Sequence, residues 1–279
     1  MTAPASNTVT ANTSLSRRAL KTAARTCDAL RQPTSGITIL IYHRVGASSG
    51  GQMNLVPSEF ERQVEWLAAT QRVVDLDTAL DEVTKGGPIQ AAVALTFDDG
   101  TADWIDIAAP ILLRHNVPAT FYLTTGYPQG DVPLPDGERA ISWASVRDLS
   151  RSGIASIGSH THTHRLLDRL VPDELDAELD RSIELIGEHV GSPPQHFAYP
   201  KAVDPSPMAS SAVGSRFRSA ALAGTRANIA NGDPYRLSRS PIQAADSFTD
   251  FKRKVAGGMG LEDSVRRLAN RYRYRRASS

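Results

Sequence analysis

Apolar residues recur in short runs separated by longer amphipathic stretches. Ile37-Thr-Ile-Leu-Ile-Tyr42 is rich in branched residues and predicts a strand that runs into His43. Pro57-Ser58-Glu59 opens a helical pattern through Phe60, Val64, Trp66 and Leu67, with Ser58 as the N-cap. Val73–Leu76 reads as a short strand, and Asp77–Val83 as a helix that stops before Gly86-Gly87-Pro88. Ala92–Phe97 is an apolar strand leading into Asp98-Asp99-Gly100. Ile105–His115 has helical spacing, and Ala119–Leu123 is a strand. The Pro- and Gly-rich stretch Gly126–Arg139 reads as a long loop, followed after Ser142-Trp143 by a short helix to Ser150. Ile154–Ile157 is a strand ending at Gly158-Ser159-His160. Pro172–His189 is a strongly amphipathic helix with Asp173 and Glu174 in its first turn. Phe197–Tyr199, Arg218–Leu222 and Leu237–Ile242 complete the strand candidates.

Strand–helix alternation on this scale predicts a parallel α/β architecture, with a barrel in range. Polar residues at the carboxyl ends of barrel strands form the site, which picks out His43, Asp98, Asp99, His160 and Tyr199.

The 279 residues are 41% hydrophobic, enough for a buried core and too many for wholesale disorder. A net charge of +1 argues against a dedicated nucleic-acid binder. The single cysteine, Cys27, excludes an internal disulfide and a cysteine-rich zinc site, so any metal must sit on His and carboxylate. No apolar run approaches the ~18 residues of a membrane span. Met1–Gln32 lacks the apolar core of an export signal, so the cytoplasm or the cytoplasmic face of the membrane is the expected location.

Charge is uneven. Residues 1–36 carry five basic side chains (Arg17, Arg18, Lys21, Arg25, Arg31) against one acidic. Residues 261–279 carry six arginines against Glu262 and Asp263, which leaves the middle of the chain acidic. The expected organisation is a polar basic extension over 1–36, a single catalytic domain over 37–255 and an Arg-rich tail over 256–279. Such ends are usually solvated, but the C-terminal tail also suits peripheral contact with an anionic membrane.

Three constellations carry chemistry. Asp98 and Asp99 at a strand end repel each other unless a cation or a proton intervenes, and Gly100 permits a tight turn there. His160-Thr-His162-Thr-His164 places imidazoles at i and i+4, on one face of a helical turn, or all three on one face if extended. Together they supply two histidines and a carboxylate, a ligand set that leaves positions for water and substrate. His43 continues the alternation of Ile37, Ile39 and Ile41, which alone favours a satisfied core histidine.

Thr96-Phe-Asp-Asp-Gly100 and Ser159-His-Thr-His-Thr-His164 resemble the first two motifs of the polysaccharide deacetylases, the NodB-homology domain of carbohydrate esterase family 4. The resemblance extends through Phe197-Ala-Tyr-Pro200 and runs from about Ile37 to Ile242. It implies a distorted (β/α) barrel of about seven strands and removal of acetyl groups from sugars with one divalent metal ion, zinc first, cobalt or nickel as alternatives. Carried over, Asp98 is similar to the family's base, Asp99 to its metal aspartate, and His160 and His164 to its metal histidines. Tyr199 and Pro200 stand where the family uses a backbone N–H beside the tyrosine to hold an oxyanion. His162 has no fixed role in the family.

Two departures are evident. The third motif usually reads Arg-x-Pro-Tyr, whereas here Phe-Ala-Tyr-Pro is followed by Lys201-Ala202. The late Leu-x-His motif is replaced by Leu237-Ser-Arg239. With the early Tyr42-His43, this pattern resembles the branch containing poly-β-1,6-N-acetylglucosamine deacetylases. In that branch an early histidine serves as the acid, which makes His43 the candidate acid and Arg239 a candidate for orienting Asp98. Trp143 either stacks on a sugar ring or packs in the core. The expected partner is an acetylated saccharide, not nucleic acid. Hydrolysis of another non-peptide C–N bond and glycan binding without turnover stay open.

Overall fold

The computed structural model describes residues 7–30, 34–47 and 51–276. Arg31 and the side chains of Arg17, Arg18, Arg271, Arg273, Arg275 and Arg276 lie outside the described residues. Seven strands form a closed barrel: β1 (Ile37–Tyr42), β2 (Ala92–Asp99), β3 (Ala119–Leu123), β4 (Ala155–Ser159), β5 (His196–Ala198), β6 (Ser219–Ala223) and β7 (Leu237–Pro241). They pair in chain order, every pair parallel, and β7 returns to β1. The wall is thinnest between β4 and β5, joined through the single pair Ser159–Phe197. The distorted (β/α) barrel expected from the sequence is therefore the fold.

The helices are α1 (Asn7–Leu30), α2 (Pro57–Thr70), α3 (Leu76–Thr84), α4 (Ala109–His115), α5 (Trp143–Ser150), α6 (Pro172–Val190), α7 (Pro207–Gly214), α8 (Phe248–Val255) and α9 (Gly260–Arg276). None of the described helices is long and apolar enough to cross a membrane.

Both faces of the strands are buried, which is why they read as near-continuous apolar runs. Inside, Ile37 and Ile39 meet Ala92, Ala94, Ala198, Ala221 and Leu237. The small alanines allow a narrow interior. Outside, Leu40, Tyr42, Leu95, Phe97 and Phe121 pack with Phe60 and Val64 of α2 and Leu112 of α4. Period-two alternation then directs Thr96 and Asp98 inward, beyond Ala92 and Ala94 on the same strand.

Several element expectations need correction. Ser58 is not the cap of α2: Val56 holds that place, and Pro57 starts the helix. Val73 forms only a lone bridge to Val93, because Asp75 caps α3 by accepting the Thr78 amide at 2.7 Å. Ile105–His115 is not one α-helix. Trp104–Ala108 is a π-turn and α4 follows, consistent with Pro110 lacking the N–H that an α-ladder needs. The Gly126–Arg139 loop contains a helical turn at Gly126–Gln129 and a 3₁₀ turn at Pro135–Gly137.

The basic ends are tied to the barrel at particular described side chains. Lys21 of α1, 5% exposed, pairs with Asp246 and with Glu262 of α9, the latter at 3.0 Å. Lys254 joins Asp246 at 2.8 Å. Arg25 forks onto Asp250 at 2.7 and 2.8 Å, and the Met259 amide donates to Asp28 at 2.8 Å. The acidic middle of the chain supplies most of the counter-charges that bind the terminal helices.

Candidate active site

The carboxyl ends of β1, β2, β4 and β7 deliver the chemical groups to one cavity of about 640 Å³. His43 follows β1, on the side the alternation assigned to it. The π-turn fixes its backbone: Trp104 Nε1 donates to the His43 carbonyl at 3.1 Å, and Asp103 accepts the Val45 amide.

Strict alternation would send Asp98 and Asp99 to opposite faces. Asp99 instead adopts φ 88°, so both carboxylates line the cavity. Gly100 then takes φ +117°, where a Cβ would lie 2.6 Å from Leu123 Cδ1.

The histidine segment is neither helical nor extended. Thr161 and His164 have φ 70° and 60°. The turn is held by Thr161 Oγ1 accepting the His164 amide at 2.9 Å and by Thr163 donating to Glu178 of α6. Gly126 donates to the His162 carbonyl at 2.7 Å, and a Cβ at Gly126 would stand 2.6 Å from that oxygen. Among the described residues, seven non-glycine positions have positive φ, and Asp99, Thr161, His164 and Lys201 are four of them. Backbone strain is concentrated at this site.

Asp99, His160 and His164 each present one ligand atom, all within 4.8 Å of one another. Asp99 Oδ1 lies 3.8 Å from His160 Nε2 and 3.5 Å from His164 Nε2. The edge of a tetrahedron with bonds near 2.0–2.1 Å is about 3.3 Å, so the set fits a divalent ion after small adjustments. His160 Nδ1 donates to the Ala198 carbonyl at 2.7 Å, which leaves Nε2 with a lone pair toward the cluster.

Protonation states agree. Burial, with His160 next to it, pushes His164 down to about 3, and burial also lowers His160. Burial pushes Asp99 up, but His43, His164 and His160 together hold it below the usual carboxylate range. At neutral pH the imidazoles are thus neutral and the carboxylate charged, the forms that ligate a metal.

Asp98 stands beside this trio, 4.0 Å from His160 Nε2. Arg239, 1% exposed, grips it with two parallel bonds of 2.6 and 2.8 Å. The guanidinium also donates to Thr96 Oγ1 at 3.0 Å and lies over the Tyr122 ring. Burial opposes the Asp98 charge, yet Arg239 and His160 bring its pKa down to about 2. The charge of Asp98 is thus answered by the Arg239 guanidinium, which leaves Asp99 to the two imidazoles.

Other expected residues fall elsewhere. His162 bonds Thr125 at 3.0 Å and faces Asp131 at 3.2 Å, apart from the trio. Trp143 stacks on His189 at 4.1 Å and donates to Gln129, so it is not in the cavity wall. Tyr199 lines the cavity, but its amide is spent on the Ala221 carbonyl at 3.0 Å, and Pro200 has no N–H. The next amide along the chain belongs to Lys201, which lines the cavity at φ 61°. Lys21, Glu262 and Arg266 form part of the wall and were missed, since sequence gives no sign that the two terminal helices meet over the barrel mouth.

A closed parallel barrel with an Asp–His–His cluster and a buried Asp–Arg pair at its carboxyl end defines an α/β-barrel protein with a candidate metal centre. The family profile described as polysaccharide deacetylase matches residues 85–213, which include both motifs. YxkH of Bacillus subtilis (strain 168), named for the polysaccharide deacetylases, is 28% identical over 151 residues, 53% of this chain and 50% of that protein. The poly-β-1,6-N-acetyl-D-glucosamine N-deacetylase of Escherichia coli (strain K12) is 28% identical over 143 residues, 46% of this chain and 21% of that protein. The chain spans half the length or less of these curated relatives. The solved structure of IcaB from Ammonifex degensii superposes with a TM-score of 0.69 at 23% identity, covering 80% of this chain and 98% of that one. The Streptococcus pyogenes deacetylase PplD, solved with acetate, gives 0.68 at 19% identity, covering 80% and 99%. This chain is similar to the polysaccharide deacetylases, including those of the poly-β-1,6-N-acetylglucosamine branch.

Proposed function

We propose that the chain is a hydrolase that removes N-acetyl groups from an acetylated amino sugar, in an oligo- or polysaccharide or a glycan precursor. The observation that carries this reading is the convergence of the Asp99–His160–His164 trio and the Arg239-bound Asp98 in one cavity. Residues 37–255 form the catalytic barrel in this proposal, with α1 and α9 docked on it.

Asp99, His160 and His164 would hold one divalent ion, zinc by their imidazole–carboxylate chemistry, with cobalt or nickel as alternatives. Such an ion, when bound, acidifies water and polarises a carbonyl. Asp98 accepts the proton of the attacking water on an oxygen lone pair not used by Arg239. A carboxylate held near 2 is a weak base that stays in the accepting form at any physiological pH. His43 gives a proton to the departing amine. The Lys201 amide, the first backbone N–H after that of Tyr199 because Pro200 has none, takes the oxyanion role first expected beside Tyr199.

Zinc titration of ion-free protein by calorimetry is expected to give one site. Asp99→Ala should weaken it by more than ~100-fold, because even partners behind the ligands cost about 10–100-fold. Unchanged zinc affinity in that variant would end the ligand assignment.

His43→Gln is expected to lower acetate release from N-acetylglucosamine oligomers by about 10²–10⁴-fold. Its effect on 4-nitrophenyl acetate should be far smaller, since nitrophenolate leaves without a proton. Equal losses on both substrates would refute the acid role. Mass spectrometry of products separates sugar deacetylation from hydrolysis of other amides. Saccharide binding without acetate release under any metal would mark a binding module.

A further inference from the structure

Helix α9 exposes Leu261, Val265 and Leu268 by 37%, 44% and 69%. Their i, i+4, i+7 spacing puts them on one stripe. Of the acidic residues of the first turn, Glu262 pairs with Lys21 of α1 and Asp263 with Arg266 of the same helix, while Arg267 reaches Asp204 at 3.1 Å. Beyond Asp263 the sequence has six arginines and no acidic residue: Arg266, Arg267, Arg271, Arg273, Arg275 and Arg276. An apolar stripe on a strongly basic helix is the arrangement that lies in the plane of an anionic lipid surface. A soluble polyanion would use the arginines and leave the stripe in water. A protein partner would cover the stripe without requiring so one-sided a charge.

The position of the stripe gives it a use. Val265 also lines the cavity that holds Asp98 and Asp99, together with Arg266 and Ala269 of the same helix. A surface that receives the stripe therefore meets the rim of that cavity. We infer that α9 docks the protein on an anionic lipid surface and, resting on the deacetylase reading, that the acetylated amino sugar reaches the cavity from a lipid carrier in that surface.

The test is sedimentation of the full chain with vesicles of phosphatidylglycerol and phosphatidylcholine, with pure phosphatidylcholine vesicles, and with the mixed vesicles plus glycerol phosphate. Binding to the mixed vesicles should exceed that to the neutral ones by at least about tenfold, and glycerol phosphate should not compete. Leu268→Glu, on an exposed position, should weaken binding at least about tenfold with an unchanged circular dichroism spectrum. No sedimentation with mixed vesicles, wild-type binding by Leu268→Glu, or displacement by glycerol phosphate would each overturn the docking.

The substrate half is read separately, as acetate release from lipid-anchored N-acetylglucosamine in mixed vesicles and from a soluble oligomer. Leu268→Glu should slow the first at least about tenfold and leave the second unchanged. Equal rates for both proteins on the anchored sugar overturn the lipid-carrier inference. Vesicle binding without acetate release from either sugar would remove the deacetylase reading and leave the docking standing.

Discussion

Asp98→Asn is expected to reduce acetate release by about 10³-fold or more, with zinc binding retained. Asp98 lies beside the candidate ligand trio and is not one of it, so in the proposed mechanism its loss would remove the proton acceptor and spare the ion site. The amide also turns an N–H₂ toward Arg239, which costs one of the two parallel bonds and leaves a buried guanidinium uncompensated, about 3–5 kcal/mol of stability. Single-turnover kinetics, calorimetric zinc titration and thermal unfolding on one preparation separate these effects. Turnover within tenfold of the unaltered protein would remove Asp98 from proton transfer. Because Arg239 and His160 hold Asp98 near 2 against burial, its ionisation will not limit activity until the pH nears that value.

Arg239→Met should destabilise the protein by about 3–5 kcal/mol at neutral pH, the usual result of leaving one member of a buried pair uncompensated. The pH dependence has a definite sign. In the unaltered protein Asp98 sits at about 2, below its ordinary value of 3.8, so the pair stabilises the fold above about pH 4. That stability is lost as the pH falls toward 2. Without Arg239, burial acts with much less opposition and raises the Asp98 pKa, so the variant gains relative stability on acidification. Urea unfolding at pH 7 and near pH 3.5 should therefore show a gap that narrows in acid. Equal stability at pH 7, or a gap independent of pH, would contradict this account. Replacing both partners with Arg239→Met and Asp98→Leu should recover much of the loss, since no bare charge remains.

The strands were legible because a wall buried on both faces must be apolar, as in Ile37–Tyr42 and Ala92–Phe97. The candidate metal cluster was legible in part: few residue types bind a divalent ion, and three histidines fall within His160–His164, but the choice of Asp99, His160 and His164 came from the family resemblance. His43 was placed correctly on its face by alternation, yet its neighbourhood with Asp99 depends on closure of the barrel. Backbone conformation was not legible: Asp99, Thr161 and His164 take left-handed angles that non-glycine residues rarely adopt, so composition gives no sign of them. Tyr199 illustrates a related limit. The residue lines the cavity, but only the pairing of β5 and β6 reveals that its amide is already engaged. The ion pairs of Lys21 and Arg25 were hidden for another reason, since charge counts name no partners across more than two hundred residues.

The bond between Arg239 and Asp98 spans 141 residues, from the last strand of the barrel to the second. At a synthesis rate of about 5–20 residues per second, the carboxylate leaves the ribosome roughly 7–28 s before its guanidinium. During that interval the growing sheet has two open edges and an unneutralised acid on its inner face. The final strand supplies both the missing ladder and the missing charge, so closure of the barrel and neutralisation of the acid come in one step.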